Sequence, residues 1–207
     1  MYESVLSVGA NPDPRHPLKY TPEEARVVAE MFPHGDLVLL DEATKAKVMA
    51  LLEQKRYDVV HISTHGYFER ENPLLSFLQL LPGAGEEDGN LYAGEILGLK
   101  LLGCELVVLS ACQTALPPEV KEELVLGDEL QGLSQALFVA GASSAVLTLW
   151  NVNDASTKGL MEVMYRELME GVPKGEALRR AQLSLLRNPM YRHPHYWAPF
   201  VLYGVWR

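Results

Sequence analysis

Along this chain, short unbroken runs of β-branched and large aliphatic residues alternate with longer segments whose apolar positions recur three and four apart. Runs of the first kind suit strands buried on both faces, and segments of the second kind suit helices with one face on a core. Ser4–Val8 is the first run, and it stops at Gly9-Ala10-Asn11-Pro12. A Pro-rich loop continues through Pro17. Thr21 then reads as a helix cap, with Pro22 at the first helical position and Glu23 and Glu24 in the first turn. Leu37–Leu40 is a second strand. Thr44 caps the next helix, which carries Val48, Leu51 and Leu52 at helical spacing, and Tyr57–Ser63 is a third strand rich in β-branched residues. Between Leu74 and Leu91 two short apolar segments flank the turn-forming stretch Pro82–Gly89, which predicts a hairpin. A short helix over Ala93–Leu97 precedes a fourth strand, Glu105–Ser110. Residues 115–126 form a long, charge-mixed loop, followed by a helix over Asp128–Val139 and a fifth strand over Ser144–Trp150. Helices over Ala155–Met169 and Lys174–Leu186 and a last strand over Trp197–Val205 complete the order.

The pattern βαβαβ, hairpin, βαβααβ predicts an α/β fold. Right-handed crossovers place helices on both faces of a mostly parallel central sheet, with a small hairpin insertion. A length of 207 residues suits a single domain spanning 1–207. The chain begins almost directly on a strand, as a domain excised from a longer protein would. In such sheets ligands bind beyond the carboxyl ends of the strands, near a switch in strand order. His65 falls just after the third expected strand and Cys112 just after the fourth, so both emerge at the same edge.

Composition narrows the functional classes. Apolar residues make up 48%, enough for a sizeable core, and the formal net charge of −9 argues against nucleic acid as a direct partner. No run approaches the ~20 apolar residues of a membrane span, and the first residues lack the order of a signal peptide. Two cysteines, Cys104 within a strand and Cys112 at a strand end, offer no disulfide framework and point to the cytoplasm.

Cysteine catalysis needs a thiolate, a nearby proton acceptor and donors aimed at the developing oxyanion. His65 precedes Cys112 by 47 positions, within the order and spacing of ~50 noted for caspases. Gly66 follows directly, and a glycine lets a substrate carbonyl approach the backbone closely. The amides of Gly66 and Cys112 are therefore the candidate oxyanion hole. His61, four positions before His65 on a strand, lies ~13 Å from it, too far to share one metal ion. His193 and His195 read as a surface pair and Cys104 as core. No metal or cofactor is expected, and phosphate-binding glycine loops are absent.

Six local words in order carry a resemblance. They are His61-Ile62-Ser63-Thr64-His65-Gly66-Tyr67-Phe68; Asn72-Pro73-Leu74-Leu75-Ser76; Leu109-Ser110-Ala111-Cys112-Gln113-Thr114; Ala140-Gly141-Ala142; Leu149-Trp150-Asn151-Val152-Asn153-Asp154; and His195-Tyr196-Trp197-Ala198-Pro199-Phe200. Over nearly the whole chain the sequence resembles the CHAT domain family, cysteine peptidases of caspase-like fold related to caspases, separases and gingipains. The resemblance implies a three-layer caspase-like sandwich, with His65 as base, Cys112 as nucleophile and Gly66 at the oxyanion site. It also implies Asp154 in the pocket for the residue before the cut, where a carboxylate favours Arg or Lys. Trp150 would form an apolar wall of that pocket. Asp154 stands equally well as the N-cap of the following helix. The implied activity is that of a cysteine endopeptidase acting on a protein or peptide, gated by a partner or by a neighbouring repeat or sensor domain. Residues 115–126 depart from the Gly-rich run expected there, and Lys121 within them is a conceivable self-cleavage point. Two rival readings are a catalytically silent caspase-like scaffold that binds proteins through the same cleft, and a flavodoxin-like small-ligand binder. The latter leaves both strand-end residues unexplained.

Overall fold

In chain order the computed structural model contains β1 (Ser4–Gly9), α1 (Thr21–Glu30), β2 (His34–Leu39), α2 (Lys45–Gln54), β3 (Val59–Tyr67), β4 (Phe77–Gln79) and β5 (Asn90–Tyr92). There follow α3 (Ala93–Ile96), β6 (Leu106–Gln113), α4 (Gln131–Ala140), β7 (Ser144–Thr148), α5 (Asp154–Met169), α6 (Lys174–Arg187) and β8 (Phe200–Gly204). The structure describes residues 2–69, 71–85, 88–113, 131–150 and 152–207, with backbone alone at 112, 113 and 131. The loop expected over 115–126, with Lys121, lies outside the described residues, as does the start of the helix expected from Asp128.

The eight strands of the described residues join one sheet. Its main path runs β2-β1-β3-β6-β7-β8, and the hairpin β4-β5 is attached to β3. β2, β1, β3, β6 and β7 are parallel, while β8 and the hairpin are antiparallel. The order of strands reverses between β1 and β3. That reversal opens a crevice at the carboxyl end of β3.

Neighbouring residues of the central strands enter different cores, which is why these strands read as continuous apolar runs. Val60, Ile62, Val107 and Leu109 pack with Val48 and Leu52 of α2, Ile96 of α3, and Leu133 and Leu137 of α4. Val59, Leu106 and Val108 pack on the opposite face with Val28 of α1, Leu160, Met161 and Met164 of α5, and Leu178 and Leu185 of α6. Each such aliphatic side chain contributes about 1.5–3 kcal/mol on full burial. The three layers expected from the chain pattern are therefore observed.

Local signals account for the helix ends. Thr44 caps α2 as expected, its hydroxyl accepting from the Lys47 amide at 3.3 Å. Thr21 does not cap α1. Tyr20 holds the cap position, and the Thr21 hydroxyl instead donates to the Ala10 carbonyl at 3.0 Å, pinning the helix start to the end of β1. α4 ends with Gly141 at φ 109°, with Ala142 N–H bonded to the Leu137 carbonyl and Gly141 N–H to that of Phe138, both at 3.0 Å. This left-handed termination suits glycine. Among the described residues no helix is long and apolar enough to cross a membrane.

Candidate active site

The expected third strand ended at Ser63, but β3 continues to Tyr67. The reason is non-local: β4 folds back antiparallel on its last residues, pairing Gln79 with His65, Leu78 with Gly66 and Phe77 with Tyr67. β6 likewise runs on to Gln113. His65 and Cys112 therefore lie inside strands and not beyond them, and they are direct register partners across the parallel β3·β6 ladder. Adjacent strands lie ~4.8 Å apart, and register partners occupy the same face of a sheet. One row thus reads Cys112, His65, Gln79, Asn90 across four strands.

His65 is only 2% exposed. Its Nε2 lies 2.7 Å from the backbone carbonyl oxygen of His16. A carbonyl only accepts, so Nε2 carries the proton and the lone pair sits on Nδ1. Among the described residues Nδ1 has no hydrogen-bond partner. Burial holds the imidazole below its ordinary pKa, against the opposing pull of the His16 carbonyl and of Asp13. At neutral pH the ring is an uncharged base with a free acceptor nitrogen.

The Pro-rich loop before α1, which carried no expectation beyond being a loop, supplies that carbonyl. It is held by a set of short bonds. Asp13 accepts from the Arg15 amide at 2.9 Å and faces His16 Nδ1 at 2.9 Å, and Leu18 N–H donates to Asn11 Oδ1 at 2.9 Å. Pro12, Pro14 and Pro17 stiffen it. A backbone oxygen leaves no residue-type signal. The density of prolines was the one clue that the loop holds a fixed shape.

Asp154 turns out to anchor the far end of this loop. Its Oδ2 accepts from the Tyr20 N–H at 2.6 Å. It is not the N-cap of α5: Asn153 is, with Oδ1 accepting from the Ser156 N–H at 3.2 Å. Burial raises the Asp154 pKa, the Tyr20 bond opposes that, and nearby Glu24 adds to the rise. Trp150 is half-buried just beyond β7, its indole N–H donating to the His195 carbonyl at 3.1 Å. Gly66 is flanked by Leu78 and Gln113, and a Cβ there would stand 3.2 Å from that of Ala111.

The other histidines and the second cysteine behave differently from His65. His61 is fully buried on the α1/α5 side of the sheet, with Nδ1 3.1 Å from the Tyr165 hydroxyl and Nε2 3.1 Å from Glu24 Oε1. The latter contact lacks hydrogen-bond alignment, so both Glu24 oxygens have no hydrogen bond among the described residues. Nothing in the sequence paired Glu24 with His61, because they meet only when α1 packs on β3. His193 and His195 are exposed. Cys104 is buried, its thiol pushed up to about 12 by desolvation.

The site thus stands on a mostly parallel sheet, with a histidine and a cysteine in register on two central strands. The solved structure of the Arg-specific cysteine proteinase gingipain R superposes with a TM-score of 0.65 at 11% identity, covering 99% of this chain and 46% of that one. The complex of Porphyromonas gingivalis RgpB pro- and mature domains gives 0.62 at 12% identity, covering 99% and 47%. At those identities the likeness shows the fold. The chain belongs to the CHAT domain family, whose profile matches residues 3–205. Tetratricopeptide repeat protein 28 of Mus musculus is 28% identical over 225 residues, and its Homo sapiens counterpart 27% over 228. Each match covers 91% of this chain but only 9% and 8% of those much longer proteins.

Proposed function

We propose that the chain is a cysteine endopeptidase domain in which His65 deprotonates Cys112. The observation that carries this is the pairing of two features: His65 and Cys112 are register partners, and the His16 carbonyl fixes the imidazole with its lone pair on Nδ1. The thiolate attacks a peptide carbonyl, the imidazolium hands its proton to the leaving amine, and water then hydrolyses the acyl-enzyme with His65 again as base. We assign the oxyanion to the amides of Gly66 and Cys112. The membership of a repeat-protein relative supports a neighbouring repeat region as regulator, and the near-complete cover over His65 supports a domain that must be opened to act. The silent-scaffold reading draws on that same cover, but it leaves the fixed tautomer without a use.

A small thiol-reactive probe tests the reading. Cys112 is expected to label far faster than Cys104, whose desolvated thiol is inert at neutral pH. Equal, slow labelling of both, with a neighbouring activator present, overturns it. Because His65 has its pKa lowered, the neutral base persists as pH falls below 6.5. The acid limb of kcat/KM is therefore expected below that value.

Asp154 carries two separable expectations. We propose that it receives the Arg or Lys side chain before the cut, while it also holds the Tyr20 amide. Asp154→Asn keeps an acceptor for that amide but removes the charge. It should lower kcat/KM for basic substrates about 10–100-fold and leave uncharged ones nearly unaffected. Asp154→Ala should slow both, since the loop that positions the His16 carbonyl loses its anchor. Asp154→Asn near wild type on basic and uncharged substrates alike, with Asp154→Ala slowing both, would show an anchoring role alone.

A further inference from the structure

The hairpin β4-β5 extends the sheet past His65 and has two unlike faces. Leu78 and Leu91 point into the core and are essentially fully buried. Phe77, Gln79, Asn90 and Tyr92 lie on the other face and are half-exposed. Next to the row that holds Cys112, His65, Gln79 and Asn90, the adjoining row reads Tyr67, Phe77, Tyr92. Its rings are pre-assembled. Tyr67 and Phe77 stack with centroids 5.2 Å apart at 23°, and Phe77 meets Tyr92 edge-on at 5.4 Å. Tyr67, Phe77, Gln79 and Asn90, with Asp13, Arg15 and His16 of the preceding loop, line a cleft of about 260 Å³ that borders His65, and Tyr92 packs against Phe77 beside it.

That volume is below the range of small-molecule pockets and suits one or two side chains. Position supplies the rest. In acyl transfer from a peptide, the base that took the thiol proton returns it to the leaving amine, so the departing segment lies on the imidazole side of the nucleophile. Here that side is the hairpin. We infer that the outer face of β4-β5 is a subsite for the leaving-side segment of a peptide substrate. It takes an aromatic or large aliphatic side chain on the Tyr67–Phe77–Tyr92 rings, while the Gln79 and Asn90 amides hydrogen-bond the peptide backbone. Aromatic contacts of this kind discriminate by roughly tenfold. The inference rests on the peptidase reading for its direction, but not for its test.

The test is binding without catalysis. A random decapeptide library is panned on the Cys112→Ala variant, and on the same variant carrying Phe77→Ala or Tyr67→Ala, with circular dichroism to verify folding. Phe, Tyr and Leu should be enriched about tenfold at one position, and that enrichment should vanish in both ring variants. Tyr67→Ala is the second arm because it trims a half-exposed ring and leaves the hairpin core intact. Absence of binding, or an apolar enrichment that survives both ring removals, overturns the subsite. Probe labelling of the wild-type chain is read separately. Fast labelling of Cys112 without ring-dependent enrichment leaves the peptidase standing and the subsite refuted. Ring-dependent enrichment without labelling, with a neighbouring activator present, refutes the peptidase and its leaving side but keeps the hairpin face as a peptide-binding site.

Discussion

Replacing His65 with Ala is expected to lower kcat/KM by about 10²–10⁴-fold, with Tm changing by only a few degrees. The asymmetry follows from how the ring is held. Its buried imidazole makes one bond, to the His16 carbonyl, and its Nδ1 makes none among the described residues. Losing one hydrogen bond of this kind costs about 1 kcal/mol, and removing a poorly solvated ring returns part of that. The proposed chemistry has no such compensation, because it then lacks its proton acceptor. His65→Gln separates base from brace: its amide can still donate to the His16 carbonyl but cannot carry a proton between thiol and amine. Steady-state cleavage and alkylation of Cys112 should both be lost in Ala and Gln variants alike. Substantial activity in His65→Gln would reduce His65 to a loop brace.

The largest effect on stability is expected away from the site, where Glu24 on α1 meets His61 on β3. Both are at most 1% exposed, and their facing atoms are 3.1 Å apart without hydrogen-bond alignment. Removing one member strands the other in a dry interior. Glu24→Leu or His61→Leu alone should each cost about 3–5 kcal/mol, read from denaturant midpoints at unchanged m. The pair together should cost much less than the sum, since neither Glu24 nor His61 is then left facing an apolar partner. The His61 change also strips the Tyr165 hydroxyl of its partner, so the variant that adds Tyr165→Phe is the fair comparison and should approach wild type. Additive single costs would show that the two groups do not stabilise each other.

Much of this protein was legible in its residues. The runs at Val5, Val59 and Leu106 announced central strands because a strand buried on both faces needs apolar residues at every position. Helical spacing in 154–186 announced the two long helices, and Thr44 announced its cap. That His65 and Cys112 come together on adjacent strands was legible because both stand at the ends of neighbouring apolar runs. Strand ends were read short at Ser63 and Ser110, since hairpin pairing extended β3, and β6 followed it. The cap was misread at Thr21, and of the two readings left open for Asp154 the cap falls to Asn153; the Thr21 hydroxyl and the Asp154 carboxylate instead hold the β1–α1 loop.

The chain order of apolar runs, their periods and the identity of the proposed His65–Cys112 pair came from sequence alone, because each depends on residue types within a few positions. Three things were decided only by tertiary structure: the register that sets His65 against Cys112, the backbone carbonyl of His16 that fixes the imidazole tautomer, and the burial of Glu24 against His61. Each depends on segments 37 or more residues apart. Backbone oxygens and register leave no mark on composition or spacing. They exist only once the sheet has assembled.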